Sequence, residues 1–404
     1  MGATRVSCAV AIVLAAFLAT LKLDRDVYAS SWSGMTTTTT TTTTKEKEAT
    51  NTTYNSSWSD MTTTSNASSP TLIMHLGPRK TATTSIQMVL SHFKRKTTYL
   101  SQDSFVYLNR ERINIRRDEK KFRGRFEQLR LSGTNVIYSN ENLSYEIATE
   151  EDFYMLKNAL PGWDIRVVAT YRRYFDWYLS EYQQEVDQGL VRGFKARNLL
   201  RYYETTKINT IFSPLDLSFI NRWRRHFKKF HIFNMHDSQN SNATNEIYER
   251  FVCEVIPEAK HTCQAIKNGQ LPPQRKHNIH YAKASTSAKL VTQALHKKNL
   301  LHFNKTEIIL CNDQVDKYVA SRYNGTIDDE KLLTCIPNEG VENILKTSII
   351  NERDLVPEFH ESENGLSRLT SLFFAAVREK RFCQLNVDEF LKREQDDLLQ
   401  VLLP

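Results

Sequence analysis

LIMHLGPRKTATTSIQ, residues 72–87, changes character twice along its length. An apolar run (Leu72, Ile73, Met74, Leu76) stops at Gly77-Pro78. Two bases follow, Arg79 and Lys80, and then the hydroxyl residues Thr81, Thr83, Thr84 and Ser85. An amphipathic run continues through Ile86, Val89, Leu90 and Phe93. This order reads as strand, tight turn and helix N-terminus, with Gly77 and Pro78 making the turn. The first amides of a helix have no internal acceptor and point outward, so they form an anion site. Lys80 adds a full charge and the hydroxyls add donors. A hydroxyl-rich helix start can also be only a good cap, but capping does not call for a lysine inside the turn. The stretch lacks the Gly-Lys-Ser/Thr ending of GxxxxGK[ST], because its lysine comes early.

Residues 165–184, IRVVATYRRYFDWYLSEYQQ, repeat the arrangement. Ile165 to Ala169 is a short, β-branched apolar run, read as a buried strand. Arg172 and Arg173 follow, then a helical pattern of Tyr174, Trp177, Tyr178 and Tyr182. Ser180 lies eight residues beyond Arg172, about two turns on and roughly on the same side of a helix. Taken singly, a solvated arginine pair and an exposed serine are ordinary. At a second strand end they form a second anion clamp.

GPRKTATTSIQ resembles the 5′-phosphosulfate loop of sulfotransferases that use 3′-phosphoadenosine 5′-phosphosulfate (PAPS). The strand followed by Arg172 and, after seven residues, Ser180 resembles that family's 3′-phosphate motif. His75, Gly77, Pro78, Lys80, Thr81, Thr83, Thr84, Ser85, Ile86 and Gln87 match the form HxGPxKTGTTSIQ, and Ala82 replaces its usual glycine. The likeness can be followed from about residue 70 to 330, weakly after the second motif.

The resemblance implies PAPS as co-substrate, with no metal. It places Gly77, Pro78, Arg79, Lys80, Thr81, Thr83, Thr84 and Ser85 at the 5′ side, and Arg172 and Ser180 at the 3′-phosphate. Lys80 would stabilise the bridging oxygen. An acidic residue often follows the family's next strand, which makes Glu141 the candidate base, with His75 competing. A turn capping the next helix is the structural alternative for Ser139-Asn140-Glu141-Asn142.

The pattern alternates strands (71–76, 134–139, 165–170, 230–235) with helices (81–95, 110–130, 150–160, 174–188, 215–229), and mostly helices follow residue 280. Alternation of this kind predicts an α/β fold: three layers, P-loop-like, with a central parallel sheet flanked by helices. Ligands then bind beyond the strand C-termini, where all three sites fall.

The 404 residues suffice for one large domain with appendages. Uncharged residues 6–21 would span roughly 24 Å as a helix. They read as a signal anchor within 1–29, with a cleaved signal peptide as the alternative. Residues 30–69 form a Thr/Ser-rich stalk, with nine consecutive threonines at Thr36–Thr44, expected to be disordered and O-glycosylated. Residues 70–404 form the predicted catalytic domain. Seven Asn-x-Ser/Thr sequons, at Asn51, Asn55, Asn66, Asn142, Asn242, Asn304 and Asn324, agree with a lumenal face. A Golgi membrane enzyme with a lumenal catalytic domain is expected, or else a secreted one. The pairs Cys253–Cys263 and Cys311–Cys335 are expected on proximity, leaving Cys383 free.

The net charge of +8 favours anionic partners, such as a glycan or glycoprotein acceptor. Nucleic-acid recognition has no motif to support it. The basic stretch 110–130, with nine Lys/Arg and four Asp/Glu, is a solvated helix face or a groove for an acidic glycan. Two other activities fit less of the sequence. A nucleotide-dependent kinase would need an acidic magnesium ligand, for which Asp237 is the best available residue. An inactive cell-surface glycoprotein has only Ala82 in its favour.

Overall fold

The computed structural model describes residues 69–77, 81, 83–96, 99–109, 115–141, 143, 147, 149–191, 195–206, 217–236, 247–270, 285–302, 305–323, 327, 329–356 and 365–403. They belong to one compact unit within Ser56–Pro404. The N-terminal apolar segment, the stalk through residue 68, all seven sequon asparagines and Asp237 lie outside the described residues. Among the described residues, no helix is long and apolar enough to cross a membrane.

The chain begins with β1 (Thr71–Leu76), α1 (Thr83–Lys96), the single turn α2 (Tyr99–Gln102), β2 (Phe105–Asn109) and α3 (Ile115–Leu131). It continues through β3 (Asn135–Ser139), α4 (Glu150–Ala159), β4 (Asp164–Tyr171), α5 (Tyr174–Val191), α6 (Leu199–Thr206), α7 (Leu217–His226) and β5 (Lys229–Asn234). After it come α8 (Ile247–Arg250), a π-helical segment (Phe251–Val255), α9 (Lys260–Lys267), α10 (Thr286–Lys297) and α11 (Lys305–Arg322). The chain closes with β6 (Leu333–Cys335), α12 (Asn338–Leu355), α13 (Gly365–Arg378), β7 (Cys383–Leu385) and α14 (Val387–Leu402).

β1 to β5 form one sheet in the order β2-β3-β1-β4-β5, all parallel. A parallel sheet is covered on both faces, so its strands read as continuous apolar runs rather than alternating ones. β1 fits: from Leu72 to Leu76 every side chain is buried. On one face Leu72, Met74, Val136, Tyr138, Val167 and Ala169 pack against α3, α4, α5, α7, α12 and α13. On the other, Ile73, Ile137, Val168 and Phe233 pack against α1, α9 and the π-helical segment. These are the three layers expected of a P-loop-like α/β fold. A separate cluster joins α10, α11, α14 and the two-stranded β6–β7 sheet.

Local rules account for the boundaries. α4 starts where Thr149 and Asp152 form a reciprocal capping box, each side chain bonding the other's backbone. α3 carries the basic stretch, with non-helical backbone at Asp118. Of its described bases, Lys120, Lys121, Arg123 and Arg125 are exposed and Arg130 is half-buried.

Two cysteine expectations change. Cys253–Cys263 pairs as expected, but Cys335 bonds Cys383, its direct partner across the antiparallel β6–β7 pair. Among the described residues Cys311 is the free thiol, buried on α11 and accepting from Thr292 Oγ1 at 3.5 Å. Proximity in sequence misled because the antiparallel β6–β7 pair brings together cysteines 48 residues apart.

Candidate active site

The site is built at the C-terminal edge of the sheet. β1 leads into α1 on one face, while its neighbour β4 leads into α5 on the opposite face. Their exit turns diverge, and the crevice between them is where ligands bind in open α/β sheets.

Gly77 is buried at the end of β1. A Cβ on it would stand 1.8 Å from Thr83 Oγ1 and 2.7 Å from Thr83 Cβ, so the approach of α1 to the turn requires glycine. Thr81 and Thr83 are buried, with their hydroxyls 3.3 Å apart, while Thr84 is exposed and Ser85 half-buried. The first turn of α1 holds no acidic residue. Amide and hydroxyl donors without a carboxylate suit a phosphate-like group. Pro78, Arg79, Lys80 and Ala82 lie outside the described residues.

Beneath this turn runs a buried polar chain. Gln87 Nε2, from α1, donates to Ser139 Oγ (3.1 Å) and to the Ser139 carbonyl (3.3 Å). His75 Nδ1 meets Ser139 Oγ at 2.8 Å and its Nε2 meets Thr170 Oγ1 at 2.7 Å. The ring is fully buried, and that burial lowers its pKa to about 3, so the imidazole is neutral. One nitrogen donates and the other accepts. With both nitrogens engaged by hydroxyls of β3 and β4, His75 acts as a clamp across the three central strands. That arrangement gives His75 a structural role between the strands.

Past β3, Asn140 is buried, with its amide donating to Tyr138 Oη at 2.9 Å, and Glu141 is half-buried beside it. Leu143 N donates to the Asn140 carbonyl at 3.2 Å, closing a turn at the sheet edge. Glu141 thus follows the strand next to the one that ends in Gly77.

Past β4, Arg172 and Arg173 stand in the turn before α5, not within the helix. Arg172 therefore lies outside the helix that carries Ser180, and the two do not share one helical face. Ser180 lies half-buried in the second turn of α5. Burial holds the Arg172 guanidinium below its ordinary range, Asp176 opposing that and Arg381 adding to it. Asp176 receives Arg381 at 2.9 Å and faces Arg173 at 3.7 Å. Arg381 comes from the turn before β7, a contribution no local pattern announces. Tyr171, at the end of β4, donates to Glu352 of α12 at 2.8 Å.

The end of β5 lies alongside. Met235 N donates to the Tyr171 carbonyl at 2.9 Å and His236 N to Asn234 Oδ1 at 3.0 Å. Arg250 of α8 donates to the Asn234 carbonyl at 3.2 Å. Burial, then Arg173, Arg172 and Arg250, lowers the His236 pKa to about 3. His236 and Arg250 are site-edge residues that the sequence reading missed.

Fold and site together define a three-layer α/β protein with a central parallel sheet, in which the Gly77 turn and the Arg172-Arg173 pair follow two adjacent strands. No protein-family model matches the chain, and no curated protein matches it. A solved structure of a gluconokinase from Sinorhizobium meliloti 1021 aligns with it at 8% identity, covering 50% of this chain and 97% of that one, with a TM-score of 0.21. A correspondence that low leaves the assignment to the site itself.

Proposed function

We propose that the protein is a sulfotransferase that moves a sulfuryl group from PAPS to a hydroxyl of a carbohydrate or glycoprotein acceptor. The observation that carries the reading is the placement of the Gly77 turn and the Arg172-Arg173 pair after neighbouring strands whose helices leave on opposite faces. Two anion clamps flanking one crevice suit a donor with phosphates at both ends of a nucleoside. The amides after Gly77, with Thr83, Thr84 and Ser85, would hold the 5′-phosphosulfate. Arg172 and Ser180 would hold the 3′-phosphate, the group that distinguishes this donor from ATP.

The acceptor oxygen attacks sulfur in line. Its bond to sulfur forms as the bond from sulfur to the bridging oxygen breaks, and that electron pair leaves with adenosine 3′,5′-bisphosphate. By analogy with phosphoryl transfer, the protein mainly positions the groups and neutralises charge. Lys80 would meet the charge growing on the bridging oxygen, and Glu141 would take the acceptor proton. The scheme calls for no metal. A glycan acceptor in the Golgi lumen rests on the apolar residues 6–21, the Thr-rich stalk and the sequons.

The test is sulfur-labelled PAPS with a panel of glycans. The reading expects label on a glycan hydroxyl, and a loss of about 10²-fold or more in kcat for Glu141→Gln, the size of a general-base contribution. Transfer of phosphate from labelled ATP instead would overturn it.

A further inference from the structure

Among the described residues, His236 Nε2 is sealed from solvent without a hydrogen-bond partner. A buried ring nitrogen left unsatisfied calls for an explanation, because a missing hydrogen bond in the interior is costly. Its backbone is fixed: His236 N bonds the Asn234 side chain, and the preceding residue bonds the end of β4.

The charged groups acting on it come from two elements. Arg172 and Arg173 stand after β4, and Arg250 stands on α8. Arg250 is tethered to the Asn234 carbonyl, and its Nε lies 3.5 Å from Glu254 in the π-helical segment. Asp176 on α5 faces Arg173 at 3.7 Å and is shared with Arg381. Two carboxylates thus stand against four arginines. Around the imidazole itself the field is positive, which keeps it uncharged while nothing else enters.

We infer that these groups form an oxyanion site that fills together with a proton: a divalent oxyanion binds among Arg172, Arg173 and Arg250, and His236 becomes protonated to donate its Nε2–H to it. Two negative charges reverse the sign of the field at the ring, so the proton and the anion bind cooperatively. No bond other than N–H forms, and the proton comes from solvent. The site shares Arg172 with the proposed donor site but does not depend on what the donor is.

Inorganic sulfate is the probe, because it remains a dianion throughout the range and any proton taken up belongs to the protein. Sulfate is titrated into the full chain between pH 5.5 and 7.5 at constant ionic strength, with chloride as control. The expected Kd rises with pH, by up to about tenfold per unit for one coupled proton. His236→Gln is expected to bind more weakly at the acid end, with a flat profile. Calorimetry of the unaltered chain in two buffers of different ionisation enthalpy needs no variant, and is expected to read an uptake approaching one proton per sulfate at the acid end.

A His236→Gln profile that parallels the unaltered one, no proton uptake, or no sulfate binding beyond chloride would each overturn the inference. Adenosine 3′,5′-bisphosphate in a parallel titration separates the two claims. Sulfate binding with proton uptake but no bisphosphate binding sinks the donor assignment alone. Bisphosphate binding without His236-dependent proton coupling sinks this inference alone.

Discussion

His75 joins Ser139 and Thr170 across β1, β3 and β4, and Gln87 ties α1 to the same serine. Replacing His75 with alanine leaves two buried hydroxyls short of a partner, at a cost of roughly 1–3 kcal/mol, measurable as a lower denaturant midpoint. His75, His231 and His236 have pKa values lowered by burial to about 3, about 4 and about 3 from 6.5. Between those values and 6.5 the unfolded chain takes up protons that the folded chain refuses. Their contribution is therefore complete above about pH 6.5 and declines as pH falls, by up to ~1.4 kcal/mol per pH unit for each histidine. Thermal melts from pH 7.5 to 5 should show Tm falling with acidification, and more gently in His75→Gln. A second residue-scale prediction concerns Gly77, where a methyl group would overlap Thr83. Gly77→Ala should displace the start of α1, lower Tm, and weaken binding of adenosine 3′,5′-bisphosphate in the same titration. The glycine and the hydroxyls were legible in LIMHLGPRKTATTSIQ because a turn and a helix start are written locally. The role of His75 was not, because its partners lie 64 and 95 residues away.

At the scale of elements, β1, β3, β4 and β5 fall within a residue of their predicted bounds, since buried parallel strands show as short apolar runs. β2 escaped the reading: FVYLN has no alternation and precedes a strongly basic helix. β6 and β7 escaped it too, being three residues each, below the reach of any period. The antiparallel pair they form carries the Cys335–Cys383 bond. Peptide mapping without reduction should recover Cys253 joined to Cys263 and Cys335 to Cys383. Removing the second bond with Cys383→Ser should cost about 2–4 kcal/mol, whereas Cys311→Ser should leave both disulfides in place. Recovery of a Cys311–Cys335 peptide would contradict the pairing described here.

Across the whole molecule, segments distant in sequence brace the C-terminal end of β4 and the start of α5. Glu352 of α12 receives the Tyr171 hydroxyl, and Arg381 reaches Asp176 from the turn before β7. The two strand-end motifs were legible in the sequence but no role for the C-terminal region was, because ties spanning 181 and 205 residues follow no local rule. The central claim is that the two clamps hold one nucleotide carrying both a 5′- and a 3′-phosphate. Its most direct test is the thermal stability of the full chain with adenosine 3′,5′-bisphosphate and, separately, with ADP. A ligand that binds only the folded state raises Tm by mass action. The account predicts stabilisation by the bisphosphate and not by ADP, lost in both Lys80→Ala and Arg172→Ala. An equal response to ADP, or none to either nucleotide, would contradict it.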